Sequence, residues 1–122
     1  MNILFLSPYP IVPSDGGVER VTDVIATEFL NRGHHVVFLC YKKKERLNYD
    51  KFAAPQYYIE FDANTKTAID EIIAKHAIEF VINQCVSVAA ASILRLLPSY
   101  IKIVSVCHTK PYNFDENNRR RV

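Results

Sequence analysis

Short apolar runs alternate along the chain with longer stretches whose apolar residues recur at helical spacing. Asn2 to Ser7 is an apolar run closed by Pro8 and Pro10, which predicts a buried parallel strand. Beyond the turn-forming residues Pro13, Ser14, Asp15, Gly16 and Gly17, apolar side chains return at Val18, Val21, Ile25 and Phe29, and the helix they predict is ended by Gly33. Val36 to Tyr41 predicts a second strand. Residues 42 to 56 are charged and irregular with Pro55 near their end, so a loop with at most one helical turn is expected. Tyr57 to Phe61 predicts a third strand, short enough to lie at an edge. Asn64 or Thr65 can cap a helix over 65 to 76 that carries Ile69, Ile72 and Ile73 on one face. Glu79 to Gln84 predicts a fourth strand, Val86 to Leu97 a helix apolar nearly all round until Pro98 stops it, and Ile101 to Cys107 a fifth strand.

Strands that alternate with helices pair in parallel, because each crossover packs its helix back onto the sheet. The expected fold is therefore α/β, a Rossmann-like three-layer arrangement with strand order 3-2-1-4-5. In such a sheet the crossover direction reverses beside strand 1, and ligands bind at the carboxyl ends of the strands. Ser7 to Gly17, Asn83 to Val86 and Cys107 to Thr109 are the segments expected there. The helices at 65–76 and 86–97 should cover one face and the first helix the other, leaving apolar surface near strands 4 and 5 bare. Bare patches of several hundred Å² are seldom left without a partner, so association, including a homo-oligomer, is expected.

Composition narrows the class. The 122 residues suit one domain, residues 1–122, and 49% apolar with 23% charged residues is an ordinary globular balance. A net charge of +2 gives no ground for nucleic-acid binding. Lys42, Lys43, Lys44 and Arg46, and Arg119 to Arg121, form two local basic clusters, read as a solvated loop and a tail, with an anion or lipid-headgroup contact as the other reading. No apolar run reaches the ~18 residues of a membrane span, and nothing at the N-terminus resembles a cleaved leader. The expected location is cytoplasmic, with peripheral contact at the inner membrane face left open. Cys40, Cys85 and Cys107 are odd in number and widely spaced, which suits reduced thiols better than a disulfide framework.

The chemistry centres on two places. Gly16 and Gly17 precede the first helix, where glycine lets a ligand approach and free N–H groups face it, so a phosphate is a natural guest; a simple turn and cap is the alternative. His108 follows strand 5 between Cys107 and Thr109, able to donate a hydrogen bond or hold a proton near neutrality, or else to sit as an ordinary surface histidine. His34, His35 and His76 lie near helix C-termini at the opposite rim, where the helix dipole accounts for them. No dinucleotide or triphosphate glycine motif is present, and no acid ends strand 2 to bind a ribose. A metal held by Cys40, Cys85, Cys107 and His108 is not expected: with strand 1 between them, Cys40 and Cys85 should lie about 10 Å apart.

These residues together resemble glycosyltransferase family 4, retaining transferases of the two-domain GT-B fold. The resemblance rests on strand 1 running into Ser7 and Pro8, on the loop ending Gly16, Gly17, Val18, Glu19, Arg20, and on Leu30 to His34 leading into Val36 and Val37. Val106, Cys107 and His108 resemble the family's junction of strand and histidine. The resemblance implies an N-terminal, acceptor-side domain, with Gly16, Gly17, Glu19 and Arg20 toward phosphate or substrate and His108 near the transferred sugar. It also implies a nucleotide-sugar donor, a carbohydrate or lipid-linked acceptor, no other cofactor and no metal. The family's C-terminal donor-binding domain and its pair of glutamates eight positions apart lie outside these residues, and the separation of Glu71 from Glu79 is taken as chance. Turnover by this chain alone is not expected. The alternative is a non-catalytic flavodoxin-like module that binds a phosphorylated small molecule through the same loop.

Overall fold

The computed structural model describes residues 1–8, 17–42 and 54–106, the side chains of 17–20 excepted. Five parallel strands form one sheet in the order β3-β2-β1-β4-β5, as the alternation of elements predicts. They are β1 (Asn2–Ser7), β2 (His35–Cys40), β3 (Gln56–Tyr58), β4 (Phe80–Asn83) and β5 (Lys102–Ser105). The helices are α1 (Gly17–Asn31), α2 (Thr65–His76) and α3 (Val88–Leu94). None of the described helices is long and apolar enough to cross a membrane.

β1 and β2 are apolar at successive positions because both of their faces are covered. On one face Leu4, Leu6, Val37, Leu39 and Val81 pack with Ile69, Ile72 and Ile73 of α2 and with Ala90 and Ile93 of α3. On the other, Ile3, Phe5, Val36 and Phe38 pack with Ala26, Ile25 and Phe29 of α1. Phe5 is fully buried, its ring 5.6 Å from that of Phe38 and 6.2 Å from that of Phe29. Among the described residues, two helices thus share one face and a single helix takes the other. At the far end of the α1 face Phe80 and Ile82 are only half-buried, and all four residues of β5 are exposed, Ile103 at 43% and Val104 at 48%. The apolar surface expected near strands 4 and 5 is present.

The element ends differ from the sequence reading for local reasons. The third strand stops at Tyr58 instead of Phe61 because the next residues turn onto α2. There the Thr65 hydroxyl accepts the Asp62 N–H at 2.8 Å and donates toward Glu60 O at 2.7 Å. Asn64 occupies the N-cap position without a side-chain cap, so Thr65 organises this turn from inside the helix. The third helix begins at Val88, not Val86, because Ser87 takes the cap. It ends at Leu94, not Leu97, because Leu96 and Leu97 close tighter bonds to Ile93 and Leu94. The strands expected at 36–41, 79–84 and 101–107 are seen at 35–40, 80–83 and 102–105.

The turn from α1 to β2 follows a Schellman pattern. His34 N–H donates to Phe29 O and Gly33 N–H to Leu30 O, both at 3.0 Å, with Gly33 at φ 84. The Phe29 and His34 rings meet edge to face across it at 5.8 Å. The same device closes α2, where Ile78 N–H donates to Ile73 O and Ala77 N–H to Ala74 O, but here Ala77 holds the left-handed position at φ 50. The Asn2 amide braces that turn by donating to Ala77 O at 3.0 Å.

Candidate functional site

All five strands point the same way, so their carboxyl ends form one rim: Ser7 beside Cys40, Cys40 beside Tyr58, and Asn83 between Leu6 and Ser105. The end of α1 is tied to the opposite rim, since its Schellman turn delivers the chain to His35, which pairs with Asn2 at the start of β1. A 15-residue helix is about 22 Å long, close to the ~20 Å of a six-residue strand. Running back along the sheet, α1 therefore opens at the carboxyl rim, with Gly17 as its first residue. The first N–H groups of any helix lack partners within the helix, and the positive end of its dipole lies there.

The rim is tied by backbone bonds. Tyr41 and Lys42 both donate N–H to Pro8 O, at 3.2 and 2.6 Å, Gln84 N–H donates to Leu6 O at 2.9 Å, and Val106 N–H to Asn83 O at 2.8 Å. Polar side chains then line it. Ser87, extended at φ −154, accepts the Ala90 N–H at 3.1 Å and lies 3.3 Å from the Tyr41 hydroxyl. Asn83 is buried; its Oδ1 accepts the Cys85 N–H and its Nδ2 donates to Ser105 Oγ, both at 3.4 Å.

These groups are neutral at physiological pH. Burial pushes the Cys40 thiol up to about 11, only partly offset by a backbone hydrogen bond. Burial likewise raises the Tyr41 phenol, against a lowering by Ser87. Neither serves as a base near pH 7, and the described part of the rim offers hydrogen bonds rather than proton transfer. Among the described residues no three His, Cys, Asp or Glu side chains converge as metal ligands would.

Of the residues singled out in the sequence, Gly17 heads α1 at this rim. Glu19 and Arg20 belong to the first turn of α1, and their side chains fall outside the described residues, as do Gly16 and His108 entirely. Tyr41, Asn83, Ser87 and Ser105 were not singled out individually. Ser87 alone carried a legible signal, a serine just ahead of an apolar helical run. A cavity of about 540 Å³ opens at the other rim, lined by Ile73, Ala77, Glu79, Phe80, Tyr100 and Lys102. It lies beside the starts of β4 and β5, away from the head of α1, and reflects the uncovered end of the sheet.

A parallel sheet of this order, with helices on both faces, defines a Rossmann-like domain. The sequence matches the family model of Glycosyltransferase Family 4 over residues 15–122. The chain belongs to that family. Its structure is similar to the crystal structure of a glycosyltransferase from Rickettsia africae ESF-5, with a TM-score of 0.62 and 21% sequence identity. The likeness covers 95% of this chain but 32% of that one, and at this identity it is a likeness of fold. No curated protein matches the sequence.

Proposed function

We propose that the chain is the acceptor-side domain of an enzyme that transfers a sugar from a nucleotide-sugar donor to a carbohydrate or lipid-linked acceptor. The observation that carries this reading is the head of α1: Gly17 opens the helix at the carboxyl rim, inside the segment that matches the family. Glycosyl transfer builds negative charge on the departing phosphate. Fixed N–H donors and a helix dipole stabilise that charge without reorganising, most strongly where water is excluded. In this reading Gly16 and Gly17 leave room for the phosphate, Glu19 and Arg20 contact phosphate or acceptor, and His108 hydrogen-bonds the transferred sugar. The reaction proceeds with retention, needs no metal, and takes place in the cytoplasm or at the inner face of its membrane. The donor nucleotide is held by a second domain, so the chain alone turns over little or nothing.

The test joins or mixes the chain with a donor-binding domain and screens nucleotide sugars for released nucleotide and glycosylated product. Gly17→Val keeps the backbone N–H but puts a branched side chain where the phosphate would approach, and should lower the rate at least tenfold, roughly the scale of a close approach lost. His108→Ala should lower it with little change in donor affinity. Full activity of the Gly17 variant would refute the role given to the α1 opening, and an inverted product would refute retention.

A further inference from the structure

Reaching from the amino rim along the α2 face toward β3, three side chains from three elements form one hydrogen-bonded chain. The Tyr57 hydroxyl of β3 lies 2.7 Å from His76 Nε2 at the end of α2, and His76 Nδ1 lies 2.9 Å from His35 Nε2 at the start of β2. The two imidazoles also stack at 5.1 Å, and the Tyr57 ring packs edge-on to His76 at 5.5 Å. With both rings neutral, every link has one donor and one acceptor in either tautomeric direction. One added proton is still accommodated, since a doubly protonated His76 donates to both neighbours. A second proton puts an N–H on each side of the 2.9 Å contact and leaves it without an acceptor.

We propose that Tyr57, His76 and His35 form a proton-operated latch that holds the end of α2 and the short edge strand β3 against β2, and releases them on acidification. His35 of β2 and Lys75 of its own helix oppose a charge on His76, while the carboxyl end of α2 favours one and the Tyr57 hydroxyl of β3 is its hydrogen-bond partner. Nearby, the Met1 ammonium is turned to His34 Nδ1 at 2.9 Å, and the Glu79 carboxylate to Asn2 N–H at 3.2 Å. No carboxylate contacts the imidazole pair among the described residues. Burial first, then His35 and Lys75, hold His76 below its ordinary value of 6.5. The unfolded chain therefore binds this proton first. The latch is fully stabilising above pH 6.5 and loses its contribution as the pH falls from there through the lowered value. β3 is only three residues long and is paired along one side only, to Phe38–Cys40 of β2, so loss of the link is read most directly in the exchange of its amides.

The test is a titration of the imidazole nitrogens of the full chain by NMR, with hydrogen exchange of the Tyr57 and Tyr58 amides read in parallel. Two resolved steps are expected for the His35–His76 pair, the lower below the ordinary histidine range, with faster exchange in β3 as that step is crossed. Tyr57→Phe, which keeps the ring, should leave the pair coupled but speed β3 exchange at neutral pH. His35→Gln should abolish the two-step behaviour and flatten the acid loss of thermal stability between pH 7 and 5. Independent one-step titration of both rings in the wild-type chain, or β3 exchange that ignores the lower step, would overturn the proposal.

Discussion

Ser87 shows how much one side chain can hold at the carboxyl rim. Its hydroxyl caps α3 and meets the Tyr41 phenol across the end of β1, so Ser87→Ala removes a cap and the phenol's partner together. The expected cost is about 1–2 kcal/mol, read from the urea midpoint at constant slope. Ser87→Asp should restore most of the cap, and a full loss in both variants would mean that the phenol contact matters more than the helix end. Read from the sequence alone the helix begins at Val86, and Ser87 is marked neither as its cap nor as a rim residue. Its tie to Tyr41 spans 46 positions, and only the sheet order brings the two together. The histidines illustrate the same limit. Their closeness to helix ends is visible in the sequence, whereas the 2.9 Å bond between His35 and His76 depends on where α2 ends over β2.

At the scale of elements, two helices end with the same hydrogen-bond pattern but different residues in the left-handed position. Gly33 adopts φ 84 with nothing within 4 Å of an added Cβ, so Gly33→Ala is opposed by conformation alone, at about 1–2 kcal/mol. Ala77 already bears that strain at φ 50, and Ala77→Gly is expected to raise stability by about 0.5–1 kcal/mol. Thermal unfolding of the two variants checks the pair; changes of the same sign would show that the turns are not equivalent. Gly33 was readable as a helix stop because glycine announces the geometry. The end of α2 at His76 was readable too, but nothing announced a left-handed Ala77, since alanine favours helix continuation and the turn shows only in the bond from Ile78 N–H to Ile73 O. The core strands were readable for a simpler reason: Ile3 to Leu6 and Val36 to Leu39 are covered on both faces, and an unbroken apolar run has few other ways to be buried. Short β3 and β5 were located within a few residues, because an edge strand makes fewer demands on its sequence.

For the whole molecule, the uneven helix coverage decides behaviour in solution. Among the described residues one helix serves the face that carries Phe80, Ile82 and Val104, and all four residues of β5 are exposed. Self-association at high concentration is expected, and Val104→Lys should weaken it by placing a charge in the patch. Sedimentation velocity over a hundredfold concentration range would settle this, a monomer throughout counting against it. The sheet order was legible in the alternation of elements, and membership of the family in the segment from Gly16 to Val37 and in Val106 to His108. What the sequence left unstated is how differently the two ends of the sheet are built. At the amino end, paired helix turns, the Asn2 brace and the imidazole chain interlock side chains from β1, β2, β3 and α2. At the carboxyl end the described ties are of another kind, chiefly backbone bonds such as those of Tyr41 and Lys42 N–H to Pro8 O, with the Ser87–Tyr41 contact beside them. That division makes the two margins separable: a substitution among the amino-end side chains leaves the backbone ties at the carboxyl margin in place, so either margin can be altered without rewriting the other.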